Sequence, residues 1–516
     1  MGSSYSKPIN PPAAVDEKTT AYGHGQERDR ELNQQLSNLT LASSSTTFSD
    51  GSLAIPDLRE YERDVAATPA ARLARTTLSK SSLPSTLLLK HNLTSTPHIF
   101  SNTIPTSTGP ITSQRSSGRC WLFASTNLLR HNISATLSLP DFQLSQAYLF
   151  FYDKLEKANY FLENNIELMR EGKELDDRVV NHLARSPVSD GGQWDMVVNL
   201  LEKYGVIPGV LFPDAQGALE SGPVNKILTT RLRAHVMTLR EINEQLELNK
   251  KNGLMTEESV KAHLRKRKED MVKEVWNVLT ATLGVPPGPN DEIKWEYLDV
   301  KGKAKEWKGT PREFYKAFTS KVYPATEAFS LIHDPRNDRN KLYTVERLGN
   351  IWGARPILYV NTEIERLKAA VVKSIKAGQP VFFGCDVGQS SDRISGVMDL
   401  GLYDFETPFQ FNSDVAHPLT KTQRLQLNES AMTHAMVISA VHIDPESGRP
   451  VRFKVENSWG EEAGEKGWFV MSEKWFDQFV YQVVIPRQLA DKDLLKVFDS
   501  GDKVVLPPWD PMGALA

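Results

Sequence analysis

The sequence predicts an α+β fold with a helix-rich first part and a β-rich second part. Three observations carry this. Apolar residues at helical spacing begin at Cys120 and recur to about Tyr204, and a charged stretch over residues 222–284 is also helical in character. From His434 onward the period changes to strict alternation, interrupted by one strong turn. A chain of 516 residues, 40% of them hydrophobic, can bury a large core and reads as a soluble globular protein. No apolar run is long enough to span a bilayer. A net charge of -3 gives no global attraction to nucleic acid.

Taken in order, residues 1–56 are rich in Ser, Thr, Asn, Gln and charge, and such a tail cannot fold alone. It opens on Met1-Gly2-Ser3-Ser4-Tyr5-Ser6, an N-myristoylation pattern at Gly2, and it lacks the apolar stretch of a secretory leader. Residues 57–221 form a helical subdomain. In it Leu122, Leu129 and Ile133 share one helix face, and an aromatic-rich helix follows over residues 143–162. Asp190-Gly191-Gly192-Gln193 precedes another helical run; the glycines mark either a turn before that helix or close approach of backbone to an extended substrate. Residues 222–355 read as a mostly helical insertion, with a hairpin around Val300-Lys301-Gly302. Residues 356–500 are β-rich, and residues 501–516 form an extended arm stiffened by Pro507, Pro508 and Pro511.

The β signal is clearest after His434. Met436, Ile438 and Ala440 alternate with Val437, Ser439 and Val441; a turn at residues 444–450 follows; then Val451, Phe453 and Val455 alternate with Arg452, Lys454 and Glu456. A turn centred near Glu446–Ser447 pairs residues whose numbers sum to about 893. The hairpin thus brings His434, at the start of one strand, beside Asn457, at the end of the other.

The chemistry follows from that pairing and from Gln114-Arg115-Ser116-Ser117-Gly118-Arg119-Cys120. A thiol directly after a glycine turn and at a helix start feels the positive end of the macrodipole, which lowers its pKa. Gln114 offers side-chain N–H donors to an oxyanion near that sulfur. Cys120 as nucleophile, His434 as base and Asn457 as orienter are the parts of a thiol hydrolase. Trp459 is placed to shield the Asn457–His434 contact from water. Cys385, in an apolar run, reads as a core cysteine. Two cysteines make no disulfide framework and point to a reducing compartment, most simply the cytosol. The chemistry needs no metal and no organic cofactor. The cations Arg265-Lys266-Arg267-Lys268 and Lys301, Lys303, Lys305 and Lys308 read first as solvated faces, and alternatively as patches for weak DNA or RNA binding.

With these residues in hand, the chain resembles the papain-type cysteine peptidases: Gln-x5-Cys-Trp, Gly-Gly, Thr-His-Ala and Glu-Asn-Ser-Trp-Gly are all present. Residues 144–161 and the terminus Pro508-Trp509-Asp510-Pro511-Met512-Gly513-Ala514-Leu515-Ala516 resemble the bleomycin hydrolase family, its fungal members above all. The resemblance implies a papain-like fold with a helical insertion carrying a hook-like oligomerisation region. It implies a homohexamer with sites facing an internal channel, and aminopeptidase action on peptides with a free N-terminus. Cys120, His434 and Asn457 would be catalytic, Gln114 the oxyanion donor, and Gly191, Gly192, Trp459 and Ala516 substrate-binding. The terminal arm would lie in the active-site cleft. A mainly cytoplasmic location follows, with a minor mitochondrial or membrane-associated pool if Gly2 is acylated. The rival readings are a nucleic-acid-binding hexamer with secondary peptidase activity, and a transglutaminase-like acyl transferase.

Overall fold

The computed structural model describes residue 53 and residues 55–104, 110–139, 141–318, 324–411 and 419–515. Gly2 and most of the Ser/Thr-rich tail lie outside these residues, as does Ala516. The chain divides into two compact units, one up to Arg75 and one from Thr76 onward. The described part of the first is helical, with Ile55–Ala67 followed by the start of Pro69–Leu78. Everything below concerns the second.

Its helical layer starts with α1 (Cys120–Leu137), α2 (Gln146–Arg170) and α3 (Trp194–Tyr204). In α1, Leu122, Leu129 and Ile133 are buried as their spacing requires, each contributing roughly 2 kcal/mol of apolar transfer. Helix α2 starts at Ser145, whose side chain accepts the Tyr148 N–H. Tyr148, Leu149, Phe150 and Phe151 are consecutive and all buried, so α2 is enclosed on every side. The charged stretch forms an antiparallel pair, α4 (Gly222–Lys251) and α5 (Glu257–Leu283). Leu228, Leu232, Val236 and Leu239 of α4 share one hydrophobic core with Val260, Leu264, Met271, Val275 and Leu279 of α5. The expected hairpin is β1 (Ile293–Leu298) and β2 (Ala304–Gly309), its turn tied by Asp299, which accepts the N–H groups of Lys301 and Lys303.

One large sheet forms the second layer. Its strands are β3 (Ala328–Ile332), β4 (Lys341–Val345), β5 (Tyr359–Asn361), β6 (Val381–Cys385), β7 (His434–Ile443), β8 (Pro450–Glu456), β9 (Trp468–Ser472), β10 (Val480–Pro486) and β11 (Lys503–Leu506). Across the sheet they run β11-β4-β5-β3-β10-β6-β7-β8-β9, with two short strands beyond β9. The boundary drawn at residue 356 therefore falls between strands of one sheet. The reason it is invisible in sequence is that β3 is buried at every position, which removes the alternation that marks a strand.

The sheet has an apolar core on each face. Phe382, Ala435, Val437, Tyr481 and Val484 join the core that contains α1, α2 and α3. Phe383, Met436, Ile438, Phe453, Val455 and Val483 form the other, with Leu367, Val371 and Ile375 of α6 (Ile364–Lys376). The register of β7 and β8 is the one the turn predicts: Val437 faces Glu456 and Ile438 faces Val455, before a bulge near Ser439.

The basic run over residues 265–268 lies on α5, where each cation has an acidic neighbour: Glu163 for Arg265 and Lys268, Glu269 for Lys266, and Asp270 for Arg267. This is the solvated-face reading, and nothing among the described residues favours nucleic acid.

Candidate active site

Cys120 is the first residue of α1 and is 2% exposed. The turn before it is held from three directions. Gln114 N–H donates to the Ser458 carbonyl at 2.8 Å, joining the turn to the end of β8. Arg119, fully buried, makes a bidentate pair with Asp214 at 2.7 and 2.9 Å and donates to Ser117 Oγ. Gly118 N–H donates to Asp190 Oδ2 at 2.9 Å, and a Cβ on Gly118 would lie 2.9 Å from the Asp190 Cβ. Only glycine fits there without displacement.

The sheet delivers the imidazole. His434 opens β7, and its Nε2 lies 2.9 Å from Asn457 Oδ1. The same oxygen accepts the backbone N–H of Ser458 at 2.8 Å, which fixes which end of the amide is oxygen. An amide oxygen only accepts, so Nε2 carries the proton and the Nδ1 lone pair is left for the thiol. Strand β8 ends at Glu456, and the Asn457 side chain spans the short offset from direct opposition with His434. Trp459 lies over the imidazole with ring centroids 5.0 Å apart, and the Arg393 guanidinium covers its ring.

The thiol and the strand that carries the imidazole meet across the two layers. The backbone N–H groups of Ala435, the residue after His434, of Trp121 and of Cys120 itself all act on the Cys120 thiol to lower its pKa. These donors do not produce the lowered thiol pKa expected from the helix dipole. Burial dominates and pushes the Cys120 thiol up to about 11, while Asp190 adds to the rise. Burial likewise pulls His434 down to about 4, against the upward pull of its Asn457 hydrogen bond. Burial therefore disfavours the charged form of both groups.

The Gln114 carboxamide accepts from Ser458 Oγ at 2.7 Å and donates one N–H to the Ser117 carbonyl. Its second N–H remains for an oxyanion. Ser458 is a site residue that the sequence reading misses, although it sits in the Asn-Ser-Trp motif; it orients both Gln114 and Asn457. Gly192 meets the nucleophile helix: a Cβ there would come within 2.5 Å of the Trp121 indole. The Gly191 carbonyl accepts from Lys157 Nζ at 2.6 Å. Cys385 is fully buried as expected, but its ladder partner is His434, and burial raises its thiol well above the usual range.

The terminal arm reaches the same region. Strand β11 runs parallel to β4, and the chain then turns through a short 3-10 helix, Pro511–Gly513, capped by Asp510. Arg336 binds Asp510 at 2.8 Å, Arg178 stacks 3.6 Å over Trp509, and Gln193, next to Gly192, donates to the Ala514 carbonyl. A cavity of about 260 Å³ opens beside Leu515, between Ser189 and Arg347. The Ala516 carboxylate assigned from the sequence lies outside the described residues.

A thiol at a helix start, with an imidazole and a carboxamide delivered by an antiparallel hairpin, is the arrangement of a papain-like cysteine peptidase. Residues 52–513 match the peptidase C1-like family. The chain is 38% identical over 470 residues to cysteine proteinase 1, mitochondrial, of Saccharomyces cerevisiae, covering 90% of this chain and 93% of the relative. It is 40% identical to aminopeptidase C of Listeria monocytogenes, over 81% of this chain and 88% of that one. The crystal structure of PepW from Lactobacillus rhamnosis HN001 superposes with a TM-score of 0.83 at 38% identity, covering 90% of this chain and all of that one. The chain belongs to the peptidase C1-like family and is a cysteine-type aminopeptidase of the bleomycin hydrolase kind.

Proposed function

We propose that Cys120, His434 and Asn457 carry the aminopeptidase reaction. His434 Nδ1 takes the Cys120 proton as the sulfur attacks the scissile carbonyl, and returns it to the leaving amine. The tetrahedral oxyanion takes hydrogen bonds from the Cys120 N–H and from the Gln114 carboxamide, one such donor being worth about 3 kcal/mol. Water then hydrolyses the thioester, with His434 again as base. Asn457 keeps Nε2 protonated and the ring turned to the thiol; Trp459 keeps water from that bond. The observation that carries this is the Asn457 oxygen shared by His434 Nε2 and the Ser458 N–H, which leaves Nδ1 as the only basic nitrogen.

Iodoacetamide titration tests the nucleophile. Cys120, with a base beside it, is expected to be alkylated before Cys385, with activity falling in step. Labelling of Cys385 that tracks the loss of activity would sink the assignment. The base makes a separate prediction. Because burial lowers His434 to about 4, the imidazole stays neutral down to that pH and is lost as base only below it. The acid limb of kcat/KM is expected near there, below the ordinary histidine range. Asn457→Ala removes an upward pull and moves the limb lower still; an upward move contradicts the geometry.

Gly191 and Gly192 form the backbone edge along which the substrate lies, and the arm closes the cleft beyond it. On this reading the arm supplies the partner for the free α-ammonium of the substrate, the role assigned to Ala516, which lies outside the described residues. Support comes from the arm's attachment at Gln193, beside that edge. We further infer a homohexamer and a cytoplasmic enzyme with a minor mitochondrial pool. The first stands on the family resemblance. The second stands on two unpaired cysteines and on the yeast relative, whose name carries the word mitochondrial.

A further inference from the structure

Asp190 is a largely enclosed carboxylate, its side chain 10% exposed, to which the proposed reaction assigns no role. It stands immediately before Gly191–Gly192, yet most of its partners lie elsewhere. Oδ2 accepts the Gly118 N–H at 2.9 Å and the Ser221 hydroxyl; Oδ1 accepts from Asn225 Nδ2 at 2.8 Å and faces Lys154 Nζ at 2.5 Å. A carboxylate has about four lone-pair sites, so these donors saturate it, and no neutral side chain accepts from all of them. Its backbone is engaged as well, because the Trp121 indole N–H donates to the Asp190 carbonyl at 2.7 Å. The residues two before and one after Cys120 are thus both fastened to Asp190.

Lys154 is fully buried and also donates to the Val188 carbonyl, while Lys157 donates to the carbonyls of Ser189 and Gly191. The segment 188–191 therefore lies on two lysines of α2, and the nucleophile turn lies on that segment. Burial alone would raise the Asp190 carboxyl, but Lys154, Ser221 and Gly118 outweigh it and hold it well below the usual range. Burial draws Lys154 down to about 8 even beside Asp190, and both remain charged near neutral pH.

We propose that Asp190 is a positioning residue for the peptidase reaction: its carboxylate couples the turn carrying Cys120 to the Gly191–Gly192 segment, so that the oxyanion donors and the substrate-facing backbone keep one fixed spacing. This rests on the reading of Cys120 as nucleophile. Lys154 supplies the counter-charge that lets a carboxylate stand this close to a sulfur that must become negative.

The test compares Asp190→Ala, Asp190→Asn and Asp190→Asn with Lys154→Met, each corrected for active-site content. Asp190→Ala is expected to lower kcat/KM by about 100-fold, the effect of a displacement near 1 Å in a reacting site. Affinity for a peptide aldehyde, whose adduct carries the tetrahedral oxygen, falls in parallel. Alkylation of Cys120, which uses no oxyanion site, changes by less than about threefold. A merely structural role lowers the melting temperature without separating these readouts. Asn225 Oδ1 has no partner, so its amide can turn to receive the N–H that Asp190→Asn introduces. The remaining defect of Asp190→Asn is an unpaired Lys154, and the added Lys154→Met recovers part of the loss. Corrected kcat/KM for Asp190→Ala within about threefold of the parent overturns the proposal, as does alkylation falling in step with turnover. If Asp190→Ala does not fold, Asp190→Asn is judged by the same ratio. If the unsubstituted enzyme keeps its activity with Cys120 alkylated, the nucleophile reading fails instead, whatever the Asp190 variants do.

Discussion

His434→Ala is expected to lower kcat/KM by roughly 10⁴-fold or more, and Cys120→Ser to do the same, because each removes a member of a unit that acts together. Asn457→Ala should cost far less, roughly 100-fold, since thiol and base both remain and only the hold on the ring is lost. The order matters more than the sizes. With alanine at 457, Nε2–H loses its acceptor and the imidazole is no longer confined to one tautomer. Trp459 still lies against the ring and limits how far it swings. If Asn457→Ala proves the most damaging of the three, the residue is doing more than orienting, and the roles given to His434 and Asn457 need to be exchanged or revised.

Removing Met512 to Ala516 is the second change with a large expected effect. The arm enters through fixed points upstream: Arg336 on Asp510, Arg178 on Trp509, and the ladder between β11 and β4. These remain after truncation, so the loss is confined to the residues to which the proposed function gives the end of the cleft. A charge-assisted hydrogen bond is worth about 1.5–3 kcal/mol, so the preference for a free α-amine over an N-acetylated substrate should fall by roughly tenfold or more. Cleavage of N-blocked or internal bonds should rise, because the space beyond the scissile bond is vacated. Cys120 should alkylate as before. The measurement is the ratio of kcat/KM for paired free and acetylated substrates. A ratio unchanged by truncation means that the arm does not define the end of the cleft.

Much of this site can be read from the chain alone, for identifiable reasons. The hairpin announces itself because β7 and β8 alternate and their turn is short, so the register follows and with it the meeting of His434 and Asn457. Helix α1 is legible because its buried face has helical period. Other features carry no local signature. Strand β3 is buried on both faces and shows no period, and its partners β5 and β10 are distant in sequence. Asp190 looks like an ordinary turn residue, since the donors that saturate it come from the Cys120 turn, α2 and α4. The thiol pKa runs against its sequence expectation because the helix start is visible in sequence and the enclosure of the sulfur is not. A helix dipole is worth at most about 2 kcal/mol, and desolvating a thiolate opposes it with more.

The division of the reactive pair between two layers has a consequence for the order in which the enzyme comes to life. Cys120 begins a helix of the first layer, whereas His434 belongs to a strand flanked by β6 and β8. During synthesis Cys120 leaves the ribosome long before His434 and Asn457, and the hairpin that brings those two together needs both β7 and β8. On the proposed roles, a nascent chain carrying Cys120 holds a thiol without its base. Strand β11 and the arm, to which the proposed function gives the outer limit of the cleft, come later still in the chain. On the proposed roles, hydrolytic competence is a late event of folding, and selectivity for chain ends is the last property to be acquired.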